Sequence, residues 1–207
     1  MKLFAVTPGF EVGGSIFKPE QLSVLGTVLS DKARIELTNF QQLYVELDEN
    51  QNEEVIKEKL KSVGLQIYPV GAYVKSLKTC SFCQGAEVEG LPTAIALNEA
   101  VAGQEVPAPM HIAYTGCTNA CGEPLLQDIG IVKNKEVFDV YVGGNPKTLK
   151  AQVGELLIGG IPESKLNDVV QQLITLYKNY GKKREKFGKF VSRMTIERIK
   201  EEAQSVL

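Results

Sequence analysis

The sequence predicts an α+β protein in two parts, a compact βαββαβ unit followed by a longer α/β region. Strand-like and helix-like hydrophobic patterns succeed one another in that order over the first 70 residues. Beyond residue 73 the pattern changes to short isolated strands and longer helices. The four cysteines all fall in this second region, as two close pairs. We therefore predict domains at residues 1–72 and 73–207.

The first unit carries two helical stripes between strands. Pro19 stands where the first turn of a helix tolerates proline, and Leu22, Leu25 and Val28 recur at helical spacing. The second helix begins with acidic residues and stops at Gly64. The predicted strands are residues 2–6, 33–38, 43–47 and 65–70, and the second helix is 53–63. This order is that of the ferredoxin-like split βαβ fold.

The second region is predicted to hold a hairpin and several helices. Two apolar strands, 128–132 and 136–142, are joined across residues 133–135, and a further strand at 111–115 ends directly at the second cysteine pair. Residues 104–109 form a proline-containing linker. The predicted helices are residues 93–102, 147–157, 162–180 and 195–203.

Composition excludes several classes of protein. The chain has 207 residues, is 43% hydrophobic and 23% charged, and carries a formal net charge of -2. These proportions are not those of a disordered chain or of a polybasic nucleic-acid-binding tail. No apolar run approaches the roughly 20 residues that span a bilayer. We expect a soluble cytoplasmic protein with neither a membrane nor a nucleic acid as its partner.

The cysteines are the residues most suited to chemistry. Cys80 and Cys83 form a C-x2-C pair, and Cys117 and Cys121 form a C-x3-C pair in the segment TGCTNACGEP. Paired thiols in an intracellular chain hold a metal or a redox centre more often than a disulfide. Four thiolates at such spacings suit an iron–sulfur cluster or a tetrahedral zinc ion, and unliganded core thiols are the third alternative. Spacing alone leaves all three open.

The residues beside the second pair favour a bulky cofactor. Gly116 precedes Cys117 and Gly122 follows Cys121, which leaves the backbone bare near both sulfurs. Thr118 can donate a hydrogen bond there through its hydroxyl, and backbone N–H groups in such a turn can point at cluster sulfides.

Four ordered segments resemble the sirohaem and 4Fe-4S sulfite and nitrite reductase family. The run G-C-T-N-A-C-G is similar to its GC-x-N-x-CG signature. The segment LTNFQ resembles the T-x-R-Q strand motif of its ferredoxin-like half domain, FDVYVGG its strand and glycine pair after the cluster, and KREKFGKFVSR its R-x-G-E-R-F-G-x-F tail. The resemblance covers nearly the whole chain. It implies a ferredoxin-like half domain followed by an α/β module that binds the cluster and sirohaem.

The resemblance also implies the ligands and the reaction. Cys80, Cys83, Cys117 and Cys121 become the ligands of a 4Fe-4S cluster, with Cys121 bridging to the sirohaem iron. The implied reaction is multi-electron reduction of sulfite or nitrite at that iron.

This chain departs from the family pattern at several positions. The family's second cysteine would fall at Glu89, and Cys80 is the replacement ligand that we expect. Phe40 stands where the strand motif has arginine. Lys78 replaces another arginine, which keeps the charge but loses the bidentate geometry. His111, the single histidine, occupies one position of an expected Lys-x-Lys.

These comparisons give a set of implied functional residues. Lys78 and His111 are the expected catalytic side chains, as a cation for the anionic substrate and as a proton donor. On the other reading, Lys75 and Lys78 are solvated loop charges and His111 is a packed strand residue. The expected cofactor-binding residues are Thr38, Gln41, Lys75, Asn119 and Arg184.

The length of the chain and the lack of a nucleotide-binding motif imply a second copy and an electron donor as partners. Full-length family enzymes carry two copies of this unit and this chain has one, so we expect a homodimer. No G-x-G-x-x-G follows a strand, so the electrons would come from a separate donor protein. Two alternatives remain: a 4Fe-4S electron-transfer or sensor protein without sirohaem, and a structural zinc module with four cysteine ligands.

Overall fold

The computed structural model describes residues 2–8, 16–80, 82, 90–147 and 149–207. The chain separates into two compact units, Met1–Val70 and Gly71–Leu207. Each unit is described by itself below. The domain boundary after residue 72 stays a prediction.

The first unit is an antiparallel four-stranded sheet with two helices, in the strand order β2-β3-β1-β4. This is the ferredoxin-like order that the sequence pattern predicts, and the α+β fold class is confirmed. The elements are β1 (Lys2–Thr7), α1 (Pro19–Val28), β2 (Arg34–Leu37), β3 (Leu43–Leu47), α2 (Glu53–Ser62) and β4 (Gln66–Pro69).

One face of this sheet and one side of each helix form the core of the unit. Phe4 and Val6 are two residues apart on β1 and so share a face, and Val45 of the neighbouring strand β3 lies on that face because it pairs with Phe4. Leu25 from α1 and Leu60 from α2 complete the cluster, which is buried throughout. The apolar periodicity thus fixes which face of each element points inward.

The second unit is built on a five-stranded mixed sheet in the order β5-β6-β7-β8-β9. β5, β6 and β7 run parallel, whereas β8 and β9 are antiparallel to their neighbours. The strands are β5 (Lys78–Thr79), β6 (Ile112–Thr115), β7 (Ile129–Asn134), β8 (Val137–Val142) and β9 (Glu155–Pro162). The helices are α3 (Gly90–Val101), α4 (Glu163–Tyr180), α5 (Phe187–Met194) and α6 (Ile196–Gln204).

Parallel pairing gives this sheet two chemically different edges. The carboxyl ends of β5 and β6 lie side by side, because Lys78 pairs with Ala113 and Thr79 with Tyr114. The amino ends of β6 and β7 lie at the opposite edge, where Ile129 pairs with the last residue of β8, Val142. β6 is buried along its whole length, as an internal parallel strand is. We call these the carboxyl edge and the amino edge.

The long helix α4 covers this sheet with one apolar side. Its buried residues recur at helical spacing, and Tyr177 packs edge-on against Phe187 and tilted against Phe190 of α5. Among the described residues, no helix combines the length and the apolarity that a bilayer crossing needs.

The predicted helix at residues 147–157 is wrong. The described part of that segment pairs Asn145 with Gln152 in an isolated bridge and then enters β9 at Glu155. Residues from 155 onward form a strand rather than a helix because they pair with the edge of β8 that β7 leaves free. Gly154 is also held in place, since its N–H donates to the carbonyl of Leu125 at 2.7 Å. Local periodicity reports none of these long-range bonds.

Replacing Leu60 by alanine tests the core of the first unit. Leu60 is fully buried on α2, so Leu60→Ala is expected to lower the free energy of unfolding by about 2–5 kcal/mol. Val55→Ala on the same helix is the matched control, because Val55 is 45% exposed, and its effect should stay within about 0.5 kcal/mol. Urea unfolding followed by circular dichroism measures both. Equal losses for the two variants would contradict this core.

Candidate functional site

Two thiol-bearing turns leave the carboxyl edge of the sheet side by side. Cys80 directly follows β5, and Cys117 lies two residues after β6. The N–H of Cys80 donates to the carbonyl of Tyr114 at 3.3 Å, and the N–H of Gly116 donates to Cys80 Sγ at 3.3 Å. The first thiol therefore touches the start of the second turn, although the two cysteines are far apart in sequence.

The second turn is short and tightly hydrogen-bonded. The N–H of Ala120 donates to the carbonyl of Cys117 at 3.2 Å, and the N–H of Glu123 donates to that of Ala120 at 2.9 Å. Both Ala120 and Glu123 have φ of 55°, in the left-handed region that non-glycine residues rarely adopt. None of the described cysteines is in a disulfide; Cys80 is buried, Cys117 part-buried and Cys121 exposed. The exposure of the three described thiols thus increases from Cys80 to Cys117 to Cys121.

Gly122 allows the two turns to approach each other. A Cβ built at Gly122 would lie 2.9 Å from the carbonyl oxygen of Tyr114 and 3.2 Å from the nitrogen of Cys80. Both are backbone atoms that cannot rotate away, so only glycine fits this position.

An ion pair ties the same two turns together. Lys78, two residues before Cys80, places Nζ 2.5 Å from Oε2 of Glu123, which lies two residues after Cys121. The Lys78 side chain is only 17% exposed, and Glu123 is 54% exposed. The pair therefore joins the segment just before Cys80 to the segment just after Cys121.

The donor set fits a thiolate-ligated cluster. Three thiols lie on two turns that follow neighbouring strand ends, and a backbone N–H of the second turn donates to the sulfur of the first. In a 4Fe-4S cluster each cysteine binds a different iron, so the sulfurs need not converge on one point as they do around zinc. Within the described ranges, no three His, Cys, Asp or Glu side chains form a group that could hold a single metal ion. Cys83 and Glu89 lie outside those ranges.

His111 lies at the amino edge, the opposite end of β6 from Cys117. Its N–H donates to Oδ2 of Asp128 at 2.8 Å, and Ile129, which begins β7, donates to its carbonyl at 3.2 Å. Burial, reinforced by Lys147, Lys75 and Lys186, lowers the pKa of His111 to about 3. The imidazole is therefore neutral at pH 7 and carries no charge for an anion.

The other charged groups of the amino edge are also perturbed. Burial raises the pKa of Asp128 to about 7, although the His111 N–H and the cations Lys186 and Lys147 oppose the shift. Burial lowers the pKa of Lys75 to about 8, and its Nζ donates to the carbonyl of Gly71 at 3.1 Å. Lysines from three segments thus surround one histidine and one carboxyl group.

The remaining predicted residues lie in three different places. Thr38 and Gln41 belong to the β2–β3 hairpin of the first unit, where the Thr38 hydroxyl donates to the carbonyl of Gln42 at 2.9 Å. Asn119 lies in the turn between Cys117 and Cys121. Arg184 lies between α4 and α5, with φ of 62° and its N–H donating to the carbonyl of Pro107 at 3.0 Å.

The structure thus brings together Cys80, Cys117, Cys121, Asn119 and Lys78 at the carboxyl edge. It places Lys75 and His111 together at the amino edge instead. The roles of all these residues stay predictions.

Sequence reasoning missed three groups that organise the site. Glu123 pairs with Lys78, and Asp128 holds the start of β6. Glu185 accepts two hydrogen bonds from Arg193, at 2.8 and 2.7 Å, which braces the basic tail loop. An acidic residue close in sequence to a predicted ligand or to a basic run indicates an ion pair or a hydrogen bond at the site. Which residue it pairs with depends on tertiary contacts.

The fold and the site together define a two-unit α+β protein that presents thiols at one edge of a mixed sheet. Residues 73–207 match the family described as Nitrite and sulphite reductase 4Fe-4S domain. The chain belongs to this family, which confirms the resemblance found in its motifs.

The chain is similar to relatives that differ in length. The chain is 24% identical over 201 residues to "Sulfite reductase, assimilatory-type" from Nitratidesulfovibrio vulgaris, covering 96% of this chain and 91% of that protein. It is 30% identical over 190 residues to "Cobalt-factor III methyltransferase" from Priestia megaterium, covering 92% of this chain. It spans only 34% of that second protein.

A solved structure shares the fold. The NirA protein of Mycobacterium tuberculosis superposes with a TM-score of 0.78 over 99% of this chain and 40% of its own, at 14% sequence identity. At that identity the likeness concerns the fold alone.

Gly122→Ala tests the close approach of the two turns. The added Cβ meets backbone atoms, so we expect the free energy of unfolding to fall by about 1–3 kcal/mol. Gly26→Ala is the matched control: a Cβ there has nothing within 4 Å and lies in α1, so it should be neutral or stabilise by about 0.5–1 kcal/mol. Chemical unfolding measures both, and a neutral Gly122→Ala would disprove the steric argument.

The shifted pKa values of Asp128 and His111 predict two opposing effects of pH on the stability of the fold. Folded Asp128 keeps its proton to about pH 7 instead of the ordinary 3.8, so its contribution to stability falls as pH rises between these values. Folded His111 has a pKa of about 3 instead of 6.5, so its contribution rises with pH over that window. In the wild type the two slopes oppose each other.

Replacing either residue should therefore reveal the pH dependence of stability that the other one causes. Between about pH 4 and pH 6, Asp128→Asn should become more stable as pH rises, by up to about 1 kcal/mol per pH unit. His111→Asn should become less stable over the same range. Urea unfolding at several pH values measures the slopes. Slopes of the same sign in the two variants would refute the arrangement.

Proposed function

We propose that this chain is a small redox protein of the sulfite and nitrite reductase type. In this proposal it holds a 4Fe-4S cluster coupled to sirohaem and reduces sulfite, nitrite or a related small anion. One observation carries it: the contact between Cys80 Sγ and the N–H of Gly116, which joins the two thiol-bearing turns at one edge of the sheet. The family match over the same region supports the cluster.

The cysteines would act as the ligands. Cys80, Cys83, Cys117 and Cys121 would bind the cluster, and the exposed Cys121 suits a bridge to a second group outside the turn. When bound, the two cofactors would supply the electrons and the open iron site of the reaction. The protein would supply the Gly116 N–H to the Cys80 sulfur and a water-poor pocket around that buried side chain.

The proposed substrate is an anion, and Lys78 is the cation closest in sequence to the thiols. Its pairing with Glu123 holds it at the carboxyl edge. An approaching anion would compete with Glu123 for this ammonium group, so the carboxylate would keep Lys78 in position before substrate arrives. His111 is uncharged at pH 7 and lies at the opposite end of β6 from Cys117, so it would add no charge for the anion.

The proposal also assigns residues to the macrocycle and names the partners of the chain. Lys75, Asn119 and Arg184, with Thr38 and Gln41, would meet the carboxylates and edges of the macrocycle. Electrons would come from a separate donor protein, and a second copy of the chain would complete the site.

The Priestia relative favours a second candidate function. It is named for methyl transfer to cobalt-factor III, and it matches 92% of this chain. In this second candidate function, the thiol-bearing turns would belong to a protein that acts on cobalt-factor III. An electron carrier with a cluster and no tetrapyrrole is the third outcome, favoured by the separation of His111 and Lys75 from the thiols.

Anaerobic purification followed by metal, sulfide and visible spectroscopic analysis tests these functions. We expect about five irons per chain, four from the cluster and one from sirohaem, with about four sulfides. We also expect the strong visible bands of a tetrapyrrole, which shift when sulfite or nitrite is added. Cobalt in place of the haem iron would select the second function, and a broad brown absorbance alone the electron carrier. Zinc without sulfide would overturn all three.

Cysteine variants make the ligand assignment testable. Cys80→Ala should remove most of the iron and sulfide, because it deletes one of four ligands. Ser205→Ala is the control, since this exposed hydroxyl contacts only the carbonyl of Glu202 in its own helix end. A Cys80→Ala protein with unchanged iron, sulfide and spectrum would exclude Cys80 as a ligand.

A further inference from the structure

The outer edge of β2 is an exposed strand edge in the first unit. β2 ends the four-stranded sheet, so among the described residues no strand lies beyond it. All four residues of the strand are exposed, including Ile35 at 49% and Leu37 at 71%. Both apolar side chains stand on the face that carries Val45, the core face, because Ile35 pairs directly with Val45. An exposed apolar edge of this kind is a template for pairing with another strand.

The pairing of β2 with β3 determines which backbone groups of β2 face away from the sheet. The N–H of Thr38 donates to the carbonyl of Gln42 at 2.9 Å, so it points toward β3. Because these directions alternate along an antiparallel strand, the N–H and C=O groups of Glu36 also face β3. Those of Ile35 and Leu37 face away from the sheet, where an additional strand would meet them.

The charges of β2 are complementary to a second copy of themselves. If two β2 strands pair antiparallel about Ile35, Arg34 of one copy lies opposite Glu36 of the other, and the reverse pair forms on the far side. A register centred on Arg34 or on Glu36 would instead place two like charges opposite each other, which destabilises a sheet. Arg34 is free to turn outward, since its side chain is 80% exposed and its contact with Glu46 is long, at 3.7 Å.

We propose that β2 pairs with β2 of a second copy of this chain, antiparallel and centred on Ile35. The two sheets then join into one continuous sheet of eight strands. The two Ile35 side chains pack against each other at the twofold axis, beside Leu37 of each copy. The proposal rests on the second copy invoked in the proposed function and names the surface through which the copies associate. It does not depend on which cofactor is bound.

A cysteine at position 35 tests the register. In a hydrogen-bonded antiparallel pair, opposite Cα atoms are about 5.5 Å apart, which is within the range of a disulfide. Ile35→Cys in the full chain should therefore form a covalent dimer under mild oxidation, and peptide mass spectrometry should find the 35–35 link. Leu37→Cys is the matched control, because Leu37 lies opposite residue 33 of the other copy. Equal cross-linking of the two variants, or no 35–35 link, would overturn the proposal.

Charge reversal with sedimentation supplies a second readout. Arg34→Glu should weaken the dimer at least tenfold, and the double variant Arg34→Glu with Glu36→Arg should restore it, since the opposite charges are exchanged. Both positions are exposed, so these variants are not expected to unfold. A wild-type chain that stays monomeric at every concentration would refute this interface and the second copy in the proposed function, but not the proposed cluster. A dimer without iron would refute the proposed function alone.

Discussion

The parallel pairing of β5 with β6 is the constraint on which the candidate site depends. Among the described residues, two pairs make this ladder, Lys78 with Ala113 and Thr79 with Tyr114. They align the carboxyl ends of two strands that are more than thirty residues apart in sequence. The turns that follow inherit that alignment, and the Gly116 N–H reaches the sulfur of Cys80. A shift of one residue in this register would turn Cys80 to the other face of the sheet.

The two edges of the five-stranded sheet differ in their electrostatics. At the carboxyl edge, Lys78 and Glu123 form an ion pair two residues from the nearest thiol on each side, so their charges balance. At the amino edge, burial dominates: it keeps His111 neutral and favours the protonated form of Asp128. The carboxyl edge is suited to ligands and electrons. The amino edge is suited to holding the first residues of β6 and β7 in place.

Close packing at the carboxyl edge uses glycine where any side chain would obstruct it. Gly122 sits against the backbone of Tyr114 and Cys80, and the left-handed Ala120 and Glu123 bend the turn around it. The result is a rigid frame for the thiols, held by backbone contacts. A binding site needs its side chains held in place in this way.

The sequence by itself determined the elements of the first unit, their ferredoxin-like order, the β7–β8 hairpin and the family, because periodicity and short motifs are local properties. Tertiary structure alone decided that residues 155–162 form a strand, since the open edge of β8 selects them. It also decided that His111 and the thiols lie at opposite ends of β6, and that Lys78 pairs with Glu123. These outcomes depend on register and on contacts between distant segments, which no local pattern encodes.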